Sequence, residues 1–155
     1  MRLTLYLLLT LLVGCSTPEK IKEYPYVFMT LDPGHFHAAL VQKSMYDQVS
    51  PDVYVFAPEG TELQDHLKRI EQYNTRQQDP TEWNEIVYAG ADFAKRMLHE
   101  APGNIVVLSG NNSLKTDYIS SAVDAGMHVY ADKPMVIDPG QYSRLVETIK
   151  KASDS

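Results

Sequence analysis

The 155-residue sequence contains a single cysteine, a single tryptophan and no excess of positive charge. One cysteine has no partner within the chain, so a disulfide framework is excluded. The 20 acidic residues outnumber the 14 lysines and arginines, which gives a formal net charge of -6. Binding to a nucleic-acid backbone rests on clustered basic side chains, so nucleic acid is excluded as a partner class.

The sequence also lacks internal repeats and low-complexity tracts. The composition is not that of a disordered or fibrous chain. The hydrophobic fraction of 44% and the charged fraction of 22% are those of an ordinary globular protein. The length allows one domain with a sizeable core.

No apolar run is long enough to span a bilayer as a helix, but a short one opens the chain. Residues 3–13 are apolar and follow Arg2, which is typical of a signal peptide of the general secretory route, and no twin-arginine pair is present. The run closes with LVGCS, which resembles the bacterial lipobox and predicts lipidation at Cys15. A signal peptide with an incidental cysteine and a short buried helix are the alternatives.

The expected organisation follows from this reading of the N-terminus. Residues 1–14 form the signal peptide, residues 15–25 a polar tether and residues 26–155 the folded domain. The lipid would be the only contact with the membrane. We expect a location in a bacterial cell envelope, facing the periplasm or on the outer membrane.

Strand-like runs alternate with segments of helical period throughout the folded part. Such alternation is typical of βαβ units and a parallel sheet, and it predicts a doubly wound α/β fold. In that fold ligands bind beyond the carboxyl ends of the strands. The predicted strands are 26–31, 52–57, 85–90, 102–110 and 127–131, and the predicted helices are 35–49, 61–74 with Thr61 as N-cap, 91–100, 113–126 closed by Gly126, and 138–152.

The turn after the first predicted strand is poor in glycine. A dinucleotide-binding turn of the form G-x-G-x-x-G brings backbone amides against a pyrophosphate. In DPGHFH only the middle glycine is present, as Gly34, while Asp32 and His37 stand at the outer positions. A plain tight turn remains the alternative at this place.

His35 and His37 raise the question of a metal site, because histidine is a common metal ligand. They are two residues apart at the start of a predicted helix, so they should point to different faces. No further cluster of ligands stands out in the sequence. We therefore expect no metal and a hydrogen-bonding or cofactor-contacting role for both histidines.

Glu59 follows the second predicted strand, near the place where an acid binds the ribose of NAD. An ordinary acidic residue in the first turn of a helix is the alternative. No lysine or arginine lies between residues 57 and 66 to bind a 2′-phosphate. If a dinucleotide binds, the sequence favours NAD over NADP.

The last third of the chain, SGNNSLKTDYISSAVDAGMHVYADKP, resembles the signature of the Gfo/Idh/MocA oxidoreductases. Members of that family carry T-P-N-x-x-H, a helix ending in A-G, and H-V-x-x-E-K-P. On this pattern Asn112 matches the family asparagine and Lys115 stands where histidine is usual. Asp132, Lys133 and Pro134 match the E-K-P.

The resemblance implies that residues 26–155 are the family's NAD-binding Rossmann domain. Lys133 would reach the nicotinamide and substrate side of the cleft as the catalytic residue, and Pro134 would fix an unusual turn, often with a cis bond. The alternative for Lys133 is a surface ion pair with Asp132. The cofactor-contacting set that the resemblance implies is Asp32, Gly34, His35, His37, Glu59, Asn112, Lys115, Asp132, Lys133 and Pro134.

The activity that the resemblance implies is hydride transfer at a secondary alcohol of a sugar or cyclitol. Because an exported enzyme would lack a free NAD pool, we expect tightly held NAD that is recycled within one catalytic cycle. Family enzymes continue into a substrate-binding domain that the 155 residues do not include, so we expect cofactor binding without turnover by this chain alone. A non-catalytic lipoprotein that keeps a Rossmann-like fold as a binding or scaffold module is the alternative. Self-association as a homo-oligomer is left open.

Overall fold

The computed structural model of the protein describes residues 23–154. The predicted signal peptide, the lipidation site at Cys15 and most of the tether lie outside these residues and stay predictions. No helix within the described range is long and apolar enough to cross a membrane. The strands are β1 (Phe28–Leu31), β2 (Asp52–Ala57), β3 (Asn84–Ala89), β4 (Ile105–Leu108) and β5 (His128–Ala131), and the helices are α1 (His37–Leu40), α2 (Thr61–Thr75), α3 (Phe93–Glu100), α4 (Asn112–Asp124) and α5 (Tyr142–Ser153).

All five strands are parallel and form one sheet in the order β3-β2-β1-β4-β5. Met29 in the central strand β1 pairs with Tyr54 on one side and with Val106 on the other. The chain therefore builds outward from β1 in one direction and then crosses over to build in the other. This order confirms the predicted doubly wound α/β fold, and it places the switch point between β1 and β4.

Alternate residues of each strand face opposite sides of the sheet, and both sides are apolar. Met29 and Leu108 pack in the larger core cluster with residues of α3, α4 and α5. Phe28 and Val107 pack in a second cluster with Ala39 of α1 and with residues of α2. Both faces of the sheet are thus covered, and the loops at the strand ends are left to form the site.

The first predicted helix, residues 35–49, is wrong, because α1 is a single turn at His37–Leu40. In a longer helix the carbonyls of Gln42 and Lys43 would accept bonds from amides four residues later. Instead the Gln42 carbonyl accepts from the indole nitrogen of Trp83 at 2.6 Å, and the Lys43 carbonyl accepts from Arg76 at 2.7 Å. Side chains distant in sequence replace the helical bonds.

The helix boundaries show one further correction and one confirmation. Thr61 is not the N-cap of α2 but its first residue; Gly60 occupies the cap position, without a side-chain bond. Gly126 ends α4 with φ of 77°, as predicted for a C-cap glycine. The amides of Gly126 and Met127 donate to the carbonyls of Val123 and Ala122, each at 3.0 Å, which is a Schellman motif. A short 3-10 helix, Pro139–Gln141, precedes α5.

Candidate functional site

Three loops meet at the carboxyl edge of the sheet, beyond β1, β4 and β5. The amide of His35, in the loop after β1, donates to the carbonyl of Ser109 after β4 at 2.8 Å. A Cβ on Gly110 would lie 1.8 Å from the carbonyl oxygen of Asp32, so only glycine allows these two loops to approach. The amide of Asp132, after β5, donates to the carbonyl of Leu108 at 3.0 Å. Backbone contacts therefore fix the relative positions of the three loops.

The carboxylate of Asp132 is the centre of this edge. One of its oxygens accepts from the Lys115 ammonium in a short ion pair. The other, Oδ2, accepts from the Ser109 hydroxyl at 2.9 Å and from Nδ1 of His37 at 3.0 Å. Lys115 is only 1% exposed, so its charge is held inside the protein by this carboxylate. A buried charge needs such a partner.

The pKa of Asp132 reflects these contacts. Burial by itself would raise the pKa, because desolvation disfavours the charged form. Hydrogen bonds from Lys115, Ser109 and His37 outweigh that effect and hold the pKa below its usual range. Asp132 is therefore a carboxylate, which accepts hydrogen bonds and does not supply a proton.

The expectation that His35 and His37 point to different faces is wrong. Because α1 begins only at His37, His35 belongs to the preceding loop and its ring is free of helical geometry. The ring centroids are 4.3 Å apart, and Nδ1 of His35 lies 3.8 Å from Oδ2 of Asp132. Both imidazoles thus approach the same carboxylate oxygen.

Lys133 and Pro134 follow Asp132 at the exposed rim of the site. The peptide bond between them is cis, as the resemblance implied. Asp132 is paired with Lys115 and not with Lys133, which removes the surface ion pair that was the alternative for Lys133. Lys133 therefore presents its ammonium to solvent at the edge where a ligand would bind.

A second group of acidic residues lines a hollow of about 160 Å³ between the ends of β1 and β2. Asp32 is 7% exposed and has φ of 52°. Burial raises the pKa of Asp32 and the charge of Glu62 adds to this rise, while a backbone hydrogen bond from Asn111 opposes it. Glu59 is exposed just past β2 and lines the same hollow as Asp32 and Glu62.

Gly34 lies in the tight turn after β1, where its amide donates to the carbonyl of Asp32 at 2.8 Å. A Cβ at this position would lie 3.2 Å from Oε2 of Glu62 and 3.4 Å from Cα of Gly110. The turn is therefore close to the β4–α4 loop but leaves little room for a side chain. A glycine here keeps the backbone accessible.

The β4–α4 loop gives Asn111 and Asn112 different surroundings. Asn111 is the N-cap of α4, and its side chain accepts from the Ser113 amide at 3.0 Å. Asn112 is the first residue of the helix and is partly buried. The predicted site residues thus divide into a group around Asp132, a group around Asp32, and Asn112 at the start of α4.

Sequence reasoning missed Ser109, Asn111 and Glu62 as residues of this edge. Ser109 directly follows β4 and precedes Gly110, and Glu62 lies in the first turn of α2, so their positions after parallel strands could have signalled them. Nothing in the sequence pairs Lys115 with Asp132, because they are 17 positions apart, with most of α4 and all of β5 between them.

A cavity of about 560 Å³ opens beside Asp132. Its polar end is formed by His37, Ser109 and Asp132, and the remainder is mainly apolar. Concave, apolar sites with a few converging polar groups are the usual form of small-molecule sites. The apolar lining is formed by Phe28, Leu40, Val41, Tyr46, Ile105, Val107, Leu108, Tyr130 and Ala131.

The sheet is doubly wound and parallel, its loops converge, and a ligand-sized cavity lies at its switch point. Together these features define a dinucleotide-binding type of α/β protein. Residues 63–155 match the oxidoreductase family model described as the NAD-binding Rossmann fold, GFO_IDH_MocA. This match covers more than half of the sequence. The chain belongs to the Gfo/Idh/MocA oxidoreductase family, through its NAD-binding domain. A comparison with the curated proteins gives no match.

Solved structures agree with this assignment. A candidate oxidoreductase from Parabacteroides merdae is 51% identical over 83% of the chain, with a TM-score of 0.81. The chain spans only 29% of the length of that protein. A candidate oxidoreductase from Thermotoga maritima and a 3-ketoreductase from Actinomadura kijaniata, the latter solved with NADP, share the fold at 17% and 18% identity, with TM-scores of 0.60 and 0.52.

Proposed function

We propose that this chain binds NAD at the carboxyl edge of its sheet and contributes to hydride transfer at a secondary alcohol of a sugar or cyclitol. The observation that carries the proposal is the exposed position of Lys133 in a chain that belongs to this family. It follows β5 at the rim of the cleft, exposed, while the neighbouring carboxylate of Asp132 is already paired with Lys115. An ammonium in this position is available to a ligand.

The hollow lined by Asp32, Glu59 and Glu62 supports NAD over NADP. Carboxylates accept hydrogen bonds from ribose hydroxyls and repel a 2′-phosphate. None of the residues that line this hollow is lysine or arginine. Asp32, Glu59 and Glu62 would therefore hold the unphosphorylated ribose, and Lys133 would serve the nicotinamide side of the cleft.

Bound NAD would accept the hydride from the alcohol carbon. The part played by the chain is to hold and polarise the reacting group. The amine of Lys133, in its neutral form, would accept the hydroxyl proton as the hydride leaves the alcohol carbon, and the ammonium so formed would donate a hydrogen bond to the carbonyl oxygen of the product. Lys115 and Ser109 fix the carboxylate of Asp132, which in turn fixes the ring of His37 at the polar end of the cavity.

One observation favours the second candidate, a non-catalytic Rossmann-like binding module. Helix α1 has only four residues, whereas in dinucleotide folds the pyrophosphate sits at the N-terminus of a full helix. A chain that has lost this element could keep the fold without the cofactor. Titration with NAD separates the two candidates.

The test is calorimetric titration of the full chain with NAD and NADP, in the parent protein and in Gly34→Val. A valine would meet Gly110 and Glu62 and obstruct the turn, so we expect at least about tenfold weaker NAD binding with the fold retained. Ser44→Val in the exposed loop after α1 is the control and should bind NAD normally. NADP should bind more weakly than NAD.

Calorimetry is preferred to tryptophan quenching because Trp83 is buried in the second core cluster. Absence of saturable NAD binding by the parent protein would favour the non-catalytic module. Equal affinity in the parent protein and Gly34→Val would show that this turn does not hold the phosphates.

A further inference from the structure

Two imidazoles and one carboxylate converge at the polar end of the cleft. The ligand atoms of His35, His37 and Asp132 all lie within 4.8 Å of one another. We propose that these three residues form a binding site for a divalent transition-metal ion of the Zn²⁺ type. The site does not depend on the proposed function, since it uses only side chains of this chain and no bound dinucleotide.

The distances match those between ligands that share one ion. A zinc ion binds imidazole nitrogen and carboxylate oxygen at about 2.0–2.2 Å, so two ligand atoms on a tetrahedral ion are roughly 3.3 Å apart. The Nδ1 atoms of His37 and His35 lie 3.0 Å and 3.8 Å from Oδ2 of Asp132. The observed separations bracket the expected value, so small side-chain rotations would bring the three atoms onto one ion.

The groups behind Asp132 hold its carboxylate in the orientation that a ligand needs. Lys115 occupies Oδ1, and Ser109 donates to Oδ2 at 2.9 Å. Such outer partners orient metal ligands, and their loss typically reduces metal affinity about 10–100-fold. The remaining lone pair of Oδ2 is directed to the side where the histidines lie.

The charge balance selects the class of ion. Lys115 already neutralises the carboxylate of Asp132, so little net negative charge remains to attract a hard ion such as Mg²⁺ or Ca²⁺. Imidazole nitrogen suits zinc, cobalt, nickel and copper, whereas magnesium and calcium prefer oxygen ligands. Two imidazoles with one paired carboxylate therefore favour the transition-metal class.

The site is open to ligands. The side chains of His35 and His37 are 49% and 36% exposed, and His37 and Asp132 line the cavity of about 560 Å³. Three protein ligands leave the fourth position of a tetrahedral ion free, which is the pattern of metal sites that bind water or a substrate. The free position would accept an oxygen ligand such as a hydroxyl group.

The test is titration of the untagged, EDTA-treated full chain with Co²⁺, followed by visible absorption, and with Zn²⁺, followed by calorimetry. We expect one ion per chain and the absorption bands of tetrahedral cobalt. Each of His35→Ala, His37→Ala and Asp132→Asn should lower the affinity at least about tenfold. A large excess of Mg²⁺ should not displace the ion.

The matched controls are His99→Ala and His128→Ala, which remove exposed imidazoles from α3 and from the start of β5. Both should bind Co²⁺ and Zn²⁺ as the parent chain does, and far-UV circular dichroism verifies the fold of every variant. Equal affinity for Co²⁺ and Zn²⁺ in the parent chain and in His37→Ala would overturn the proposal, as would the absence of saturable binding. His37 and Asp132 would then be a hydrogen-bonded pair that binds no metal. NAD titrations of the same samples distinguish this failure from a failure of the proposed function.

Discussion

At the scale of single residues, Asp32 combines two unfavourable features at the end of β1. Its backbone has φ of 52°, a region in which aspartate and asparagine are better tolerated than most residues. Its carboxyl is 7% exposed, and Glu62 is close enough to raise its pKa further. The amide of Asn111 supplies the hydrogen bond that partly compensates.

We predict that the free energy of unfolding of Asp32→Asn increases relative to that of the parent chain as the pH rises. The raised pKa means that protonated Asp32 contributes stability fully below its ordinary value of 3.8, and this contribution is lost as pH rises through the folded-state pKa. Asparagine keeps the hydrogen-bond acceptor without the charge. Each unit of pKa shift corresponds to about 1.4 kcal/mol.

Urea unfolding between about pH 3 and pH 7 measures this difference in free energy of unfolding. This pH range is chosen because the pKa of Asp32 is raised above its ordinary value. The exposed Glu59→Gln, at the same hollow, is the control for a general change in net charge. A difference between Asp32→Asn and the parent chain that stays constant with pH would contradict the prediction.

The two lysines of the site also differ only through their surroundings. Lys115 lies on α4 with 1% exposure, and Lys133 lies in the exposed segment after β5. Lys115 is committed to Asp132, so it positions other groups, whereas Lys133 is available to a ligand. The role of each amine follows from burial and partner, not from residue type.

At the scale of elements, the site depends on how closely the β1–α1 and β4–α4 loops approach each other. Gly110 makes this approach possible, because any Cβ there would overlap the carbonyl oxygen of Asp32. The neighbouring bond from the His35 amide to the Ser109 carbonyl, at 2.8 Å, depends on the same approach. The one-turn α1 leaves this loop to be positioned by such contacts instead of by a helix.

We predict that Gly110→Ala destabilises the protein by at least about 1–3 kcal/mol, the usual cost of overpacking, because backbone must move. The expected measurement is a lower urea midpoint with little change in the slope. Gly34→Ala is the matched control in the facing loop. Its Cβ would meet mainly the flexible end of Glu62, so it should cost less.

Equal destabilisation by the two alanine substitutions would contradict this account. It would show that the loops can separate without loss, and that the groups around Asp132 do not depend on their contact.

At the scale of the whole molecule, one sheet joins the two larger core clusters. The larger cluster contains Met29 and Leu108 and lies under α3, α4 and α5. The second contains Phe28 and Val107 and lies on the other face. Because adjacent residues of the same strands supply both clusters, neither can be disrupted without exposing the other.

We predict that the domain unfolds in one cooperative transition. Trp83, the only tryptophan, is 4% exposed and reports on the second cluster, where its ring centroid is 6.1 Å from that of Phe28. Far-UV circular dichroism reports mainly on the helices, three of which cover the first cluster. Both signals should give the same urea midpoint.

Two separated midpoints would contradict this prediction and indicate that the two faces of the sheet lose structure independently. Phe93→Ala, on α3, is a useful companion variant because it perturbs the first cluster only. It should lower both midpoints together.

Local pattern by itself determined most of the architecture of this protein. The alternation of strands and helices predicted the parallel sheet, because the patterns of buried strands and of helices depend on residues that are close together in the sequence. Strand β2 was predicted at its exact bounds, and Gly126 was predicted as a C-cap because only glycine adopts its positive φ at low cost. The A-D-K-P segment indicated the family, and the family model confirms that assignment.

Only the tertiary structure decided the length of α1 and the constellation around Asp132. Helix α1 is short because Trp83 and Arg76, distant in sequence, bind the carbonyls that a longer helix would need. His35 and His37 meet at Asp132 because parallel strands β1 and β5 end at the same edge, and Lys115 reaches it from α4. These contacts join residues that are 17 to 97 positions apart, and local periodicity cannot predict contacts over such separations. The residues are present in the sequence, but only the fold brings them together.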